Sequence, residues 1–311
     1  MTADTITEDP VLAAMREQIL AAQAAGKPLQ IRGGDTKAWY GQTTAGAVLD
    51  TRAYSGIVAY EPTELVITAR CGTPLAEIES LLAGRNQMLA FEPPHFGPHA
   101  TVGGMVAAGL SGPRRAAAGA LRDFVLGAVL MDGKGEILTF GGQVMKNVAG
   151  YDVSRLLAGS MGTLGVILQV SLKVLPRAFS ELTIRFPMQQ ADALKRLNEW
   201  GGQPLPITGS VWYDGALTVR LGGADAAVQA ACAKLKGEIV PDAEVFWEAI
   251  REQTHDYFRP VFDPSTPRVS LWRLSLPSTA PLLNVPGIQL VEWGGALRWV
   301  RVASSNDVDF N

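Results

Sequence analysis

Ala100-Thr-Val-Gly-Gly-Met-Val-Ala-Ala-Gly-Leu-Ser-Gly112, Lys146-Asn-Val-Ala-Gly-Tyr-Asp152 and Gly159-Ser-Met-Gly-Thr-Leu-Gly165 are three glycine-bearing pieces of one stretch, Glu92 to Val166, on which the reading of the chain turns. Each looks like main chain that must come close to something flat and anionic. A residue without Cβ permits φ > 0 and leaves no side chain between backbone N–H groups and a ligand, a physical reason to repeat it around a large cofactor. Any one piece could equally be a tight turn or a close helix contact. Three within one stretch, with a further pair upstream at Gly33-Gly34, favour the ligand.

Working outward, Pro28-Leu-Gln-Ile-Arg-Gly-Gly-Asp-Thr-Lys37 reads as a short strand running into two glycines, a cap-competent Asp-Thr pair and a lysine. Such a strand end can turn its amides around a pyrophosphate, with Arg32 or Lys37 adding charge. It has neither the Walker A spacing nor a Gly-x-Gly-x-x-Gly opening a helix, so a P-loop and a nicotinamide-binding Rossmann unit lack support. Ahead of it, Asp9-Pro10 with Val11, Leu12, Met15 and Ile19, closed by Gly26, predicts a first helix. Val48 to Thr51 and Ile57 to Arg70 are β-rich runs broken at Pro62. Thr73-Pro74 is expected to cap a helix with Leu75, Ile78, Leu81 and Leu82 inward and Gly84 at its end. Gly103 and Gly104 are expected at the N-terminus of a small-residue helix, where free amides favour phosphate. His95 and His99 could titrate near neutral pH, but no carboxylate or nucleophile sits at a telling spacing, and the surrounding prolines account for the loop. Pro113-Arg114-Arg115 reads either as a reach toward an anionic ligand or as a solvated turn. Strands are expected over 123–132 and 136–140, a short helix over 151–158, and a strand over 166–175 with apolar residues at every second position.

Composition narrows the classes. The 311 residues suffice for two domains. A net charge of −3 with scattered basic residues leaves no footprint for nucleic acid. Two cysteines, Cys71 and Cys232, and three histidines cannot hold an iron–sulfur cluster or a standard zinc site, so no metal is expected. Neither a signal-like start nor an 18-residue apolar run is present, and the sequence-based expectation is a cytoplasmic protein, compatible with docking at the inner face of a membrane through a partner.

Beyond Arg177 the glycine pattern fades. A strand over 181–186, a helix over 191–200, a hairpin turning at Asp214-Gly215, a helix over 224–235 and a strand over 269–275 make a split βαβ arrangement, hence domains over 1–176 and 177–311. Trp247, Trp272, Trp293 and Trp299 read as core or subunit contact rather than ligand contact.

Taken as an ordered set, Arg32-Gly-Gly-Asp-Thr-Lys37, Glu92-Pro-Pro-His-Phe-Gly97, Thr101-Val-Gly-Gly104, Gln143 to Arg155 and Gly162-Thr-Leu-Gly-Val166 resemble the E-subunit family of bacterial glycolate oxidases, within the PCMH-type (vanillyl-alcohol oxidase) superfamily of FAD-binding proteins. The resemblance runs from about Pro28 to Arg301. It implies an α+β fold: a PCMH-type FAD-binding domain of two α+β subdomains, followed by a smaller ferredoxin-like, cap-type domain. By the resemblance, Arg32, Gly33, Gly34, Asp35, Thr36 and Lys37 hold the pyrophosphate. Pro94, Thr101, Val102, Gly103, Gly104, Ala107, Gly109 and Gly112 line the pyrophosphate and flavin, and Gly162, Thr163, Gly165 and Val166 close over the ring or the adenosine.

The same resemblance implies an oxidoreductase acting on the CH–OH group of 2-hydroxy acids within a complex, glycolate going to glyoxylate. Its partners would be a flavoprotein D subunit and an iron–sulfur F subunit, with electrons passing to a quinone-type acceptor. Many relatives attach flavin covalently through a histidine beside the first loop; Gly34-Asp35-Thr36 stands there, so FAD is expected to be non-covalent. The C-terminal half holds only His255, which leaves no proton-abstracting constellation and assigns no catalytic residue. The ending Val302 to Asn311 lacks the segment that commonly packs back toward the flavin in the superfamily. A flavin-fold scaffold without FAD and a stand-alone 2-hydroxy-acid dehydrogenase are the competing readings.

Overall fold

The computed structural model describes residues 9–43, 45–142, 151–262 and 269–303. It divides into two compact units, 1–111 with 120–177 and 112–119 with 178–311.

The first unit opens with helix α1 (Pro10–Ala25). Asp9 Oδ1 accepts from the Val11 amide, Pro10 occupies the first turn, and Gly26, at φ 62°, returns its amide to the last carbonyls. Strands β1 (Leu29–Arg32) and β2 (Ala47–Asp50) pair in parallel. Then come β3 (Ile57–Glu61), β4 (Val66–Arg70), α2 (Leu75–Ala83), β5 (Gln87–Met88) and α3 (Val102–Ala108). After α4 (Arg115–Ala118), which belongs to the second unit, follow β6 (Val125–Met131), β7 (Ile137–Gly141), α5 (Val153–Leu156), β8 (Val166–Lys173) and β9 (Leu175–Pro176).

A five-stranded antiparallel sheet in the order β3-β4-β8-β6-β7 is the unit's frame. Strand β8 departs from the alternation expected of it. Six of its eight residues are buried, because the core built with Leu12, Met15 and Ile19 of α1 takes Val166 and Leu168 while α3 lies against the strand as well. A strand covered on both faces loses its period-2 signature. The Thr73-Pro74 cap is also corrected: Pro74 holds the cap position without a side-chain bond, and Thr73 Oγ1 is turned to the main chain of Gly56. The Lys146 to Gly150 part of the second glycine piece and the tail beyond Ala303 lie outside the described residues.

In the second unit, β10 (Ser180–Pro187), α6 (Gln190–Gly201), β11 (Ile207–Tyr213), β12 (Ala216–Gly223), α7 (Asp225–Leu235) and β13 (Glu238–Ile239) give the sheet order β13-β10-β12-β11. This is the ferredoxin-like core, with its hairpin turning through Asp214 and Gly215, both at positive φ. Its fourth strand is the two-residue β13, not 269–275 as expected. After α8 (Ala243–Arg251) and α9 (Arg259–Phe262), the strands β14 (Val269–Ser275), β15 (Ile288–Glu292) and β16 (Leu297–Ala303) extend the same sheet from β11, giving seven antiparallel strands. Both helices of the ferredoxin-like core bury an apolar face: Ala193, Leu197 and Trp200 from α6 and Val228 and Ala231 from α7 meet Ile184, Leu217, Val219 and Leu221. Trp247, Trp293 and Trp299 belong to a second core cluster with Tyr257 and Phe258, as read from sequence, whereas Trp272 is largely exposed.

Arg114 contradicts both readings made of it. It is buried and held by Glu181 at 2.6 Å, so it is neither a solvated turn residue nor a free anion contact. Arg115 stacks its guanidinium 4.4 Å from the Trp293 ring centroid.

Candidate functional site

A cleft of about 440 Å³ opens in the first unit where three of the glycine-bearing loops converge. The first wall is the end of β1. Arg32 O accepts from the amide and hydroxyl of Thr51, which holds the strand end in place. The chain then turns away through Gly33, Gly34, Asp35, Thr36 and Lys37, all of which line the cleft. Among the described residues, the amides of Gly33 to Thr36 make no hydrogen bond, and Arg32 Nε is a buried donor without an acceptor in bonding geometry. A buried donor such as Arg32 Nε is ordinarily satisfied, and its place beside four open amides on partly exposed backbone at one strand end suits an external acceptor. Lys37 Nζ donates to the His95 carbonyl at 3.2 Å and lies 5.5 Å from the Phe96 ring centroid, which ties the loop to its neighbour.

The second wall is the start of α3. Thr101 caps it, Oγ1 accepting from the Gly104 amide. Val102 N and Gly103 N donate to Thr73 O and Cys71 O, anchoring the helix to the end of β4. Thr101, Gly103, Gly104 and Ala107 face the cleft; Val102 is wholly buried and does not. The third wall is the loop after α5. Gly159 N and Met161 N donate to Val106 O and Ala107 O, so this loop hangs on the carbonyl end of α3. It presents Gly162, Thr163 and Gly165, while Val166 turns into the core beside Leu168.

The glycines serve these walls differently from the reason given for them above. A Cβ on Gly34 would collide with the His99 carbonyl, one on Gly33 would collide with Thr101 Oγ1, and one on Gly103 would stand 2.7 Å from Cys71 Cβ. Their bareness lets wall meet wall. Gly109 at φ 66° ends α3, where a Cβ would stand 2.7 Å from Gly159 N. With Val102 and Val166, five of the sequence-predicted residues lie away from the cleft; the other three are Gly109 at this junction, Pro94 buried in the loop ahead of α3, and Gly112 in the second unit, its carbonyl accepting from Trp293 Nε1.

Sequence reasoning missed Ile31, Tyr40, Thr51, Cys71, Met161 and Ile167 as lining residues. Thr51 and Cys71 follow directly on β2 and β4, and Met161 sits between two glycines, so strand ends and the interior of the third loop carried the signal. Burial pushes the Cys71 thiol up to about 12, which makes it an inert wall group rather than a nucleophile. His95 Nε2 sits 3.0 Å from Glu79 Oε2 and serves the loop. In the second unit His255 is half-buried between Tyr213 and Phe246, its Nδ1 accepts from the Tyr257 amide, and burial lowers its pKa. Among the described residues no group of three His, Cys, Asp or Glu could hold a metal, and no helix is long and apolar enough to cross a membrane.

Residues 11–141 match the family model described as an FAD binding domain. The chain is 50% identical over 294 residues to glycolate oxidase subunit GlcE of Escherichia coli, covering 94% of this chain and 81% of that one. It is 35% identical over 187 residues to a D-lactate dehydrogenase of Archaeoglobus fulgidus and 30% identical over 169 residues to glycolate oxidase subunit GlcD of Bacillus subtilis. These alignments cover 58% and 53% of this chain and span only 41% and 36% of the two relatives. A crystal structure of alkyldihydroxyacetonephosphate synthase superposes with a TM-score of 0.68 at 13% identity, covering 94% of this chain and 69% of that one, which establishes the shared fold. The donor set suits an FAD pyrophosphate: unbonded amides, a guanidinium nitrogen without a hydrogen bond and a nearby ammonium line a space walled for the rest mostly by small and apolar groups, with Asp35 the one carboxylate.

Proposed function

Because the chain belongs to the glycolate oxidase E-subunit family of FAD-binding oxidoreductases, we propose that its first 176 residues hold FAD non-covalently in the cleft and that 177–311 form a cap-type domain. The chain then serves as the electron-carrying flavin subunit of an assembly that oxidises glycolate to glyoxylate. FAD is the cofactor, and its isoalloxazine ring supplies two-electron and one-electron redox chemistry. This chain's own residues bind and orient. The amides of Gly33 to Thr36 take the pyrophosphate, Arg32 and Lys37 offset its charge, and Ala107, Gly162 and Thr163 wall off water; the amides at the start of α3, expected from sequence to be free, are engaged by Thr73, Cys71 and Thr101 and so shape the wall without donating.

The observation that carries the reading is the strand end after β1, with four amides unbonded and the Arg32 Nε without a hydrogen bond beside a cleft. Removal of the substrate's protons falls to a partner. The only histidine of the second half, His255, has Nδ1 engaged by the Tyr257 amide and lies among aromatic rings. A homologous D flavoprotein is the proposed site of C–H cleavage, and an iron–sulfur F subunit is the proposed relay to a quinone-type acceptor at the cytoplasmic face of the membrane.

The purified chain tests this directly. A flavin spectrum, loss of all flavin on acid or SDS denaturation, and no bleaching by glycolate until the D subunit is added are the expected results. Bleaching by glycolate alone would make the chain a dehydrogenase in its own right, and a folded but colourless chain that takes up no FAD would make it a scaffold. Ala107→Phe fills the cleft from the exposed side of α3 and is expected to weaken FAD binding about a hundredfold.

A further inference from the structure

Among the residues lining the cleft, Asp35 bears the one carboxylate, and it sits inside the ring of donors just described. Its backbone is left-handed at φ 60°, a conformation that asparagine and aspartate tolerate better than other side chains. Asp35 Oδ1 lies 3.3 Å from Arg32 Nε without hydrogen-bonding geometry, and both side chains keep more than a third of their surface in solvent. The other end of the Arg32 guanidinium donates to Gln30 Oε1 at 3.0 Å. The charge that would meet a phosphate is thus partly spent on an internal anion.

We propose that Asp35 sets the affinity of the cleft for the pyrophosphate of FAD, neutralising Arg32 in the empty site and repelling the phosphates on entry, so that the cofactor is held more loosely than the donor set alone would hold it. The inference rests on FAD occupying this cleft. It has a sign: removing the charge while keeping the backbone tightens binding. Both groups face water, so the effect belongs to the screened, exposed class and salt diminishes it.

The test titrates FAD into full-length apoprotein, following flavin fluorescence, for the wild type, Asp35→Asn and Asp35→Gly. Both substitutions accept φ 60°, so a folding defect in one leaves the other to report. Dissociation constants are expected to fall about three- to tenfold at roughly 20 mM salt, with the advantage shrinking at about 500 mM. Ala107→Phe runs alongside. If it loses FAD while neither Asp35 variant tightens binding at low salt, the role of Asp35 is overturned and the cleft stands. If it binds FAD as the wild type does, the placement of FAD itself fails.

Discussion

Arg32 in the first unit and Arg298 in the second show two ways of handling a guanidinium. Arg298 is wholly buried, yet Nε donates to Gly295 O at 3.1 Å, one terminal nitrogen to Pro281 O at 2.7 Å and the other to Ala280 O at 2.6 Å. No carboxylate is among these partners. The charge is spread over three carbonyl dipoles, and burial lowers its pKa. Arg32 keeps Nε shielded from water and unbonded at the mouth of a cleft. Arg298 completes its own unit; Arg32 leaves bonding capacity over. Incomplete internal bonding, rather than positive charge as such, is what separates a binding surface from a structural cation.

The largest effect is expected at Arg298. Arg298→Met strands three carbonyls around the 280–295 loop and is expected to cost about 3–5 kcal/mol in denaturant-induced unfolding. FAD affinity should change less than twofold; a large loss of FAD binding in a protein of unchanged stability would reverse the assignment of roles. Gly34→Ala comes next. The added Cβ meets the His99 carbonyl, so the first two walls must part, at an expected cost of about 2–4 kcal/mol together with weaker FAD binding. Wild-type stability in that variant would mean that the walls are not locked together as described.

The smallest effect concerns pH. Burial depresses the folded pKa of His255, so below about 6.5 the unfolded chain takes up a proton that the native state refuses until the lower folded value is reached. Stability from this group is therefore present at neutral pH and is lost as pH falls through that window. His255→Asn should flatten the slope of the urea midpoint between about pH 7.5 and 5.5 by a fraction of a kcal/mol.

Much of the first unit, and the first hairpin of the second, was legible in the chain because the signals are local. Asp9-Pro10 and Gly26 bound α1, Asp214-Gly215 turn a hairpin, and the glycine loops follow strands or flank a helix as read. The misreadings share a cause. Strand β13 has two residues, too few for any periodicity, and only its pairing with Ile184 and Arg185 makes it the fourth strand of the ferredoxin-like core. Arg114 looked solvated because Glu181 is remote in sequence.

From sequence alone came the order of the main elements up to Leu235, the loops bare enough to approach one another, the absence of a cysteine framework and the family's cofactor, since these depend on residue type and near neighbours. Tertiary structure alone decided which backbone amides stay unbonded, which arginine is saturated and which is left with a donor to give, and that Gly33, Gly34 and Gly103 are bare to admit a neighbouring wall. A hydrogen bond is satisfied or not by partners distant along the chain, and no spacing of residues encodes that choice.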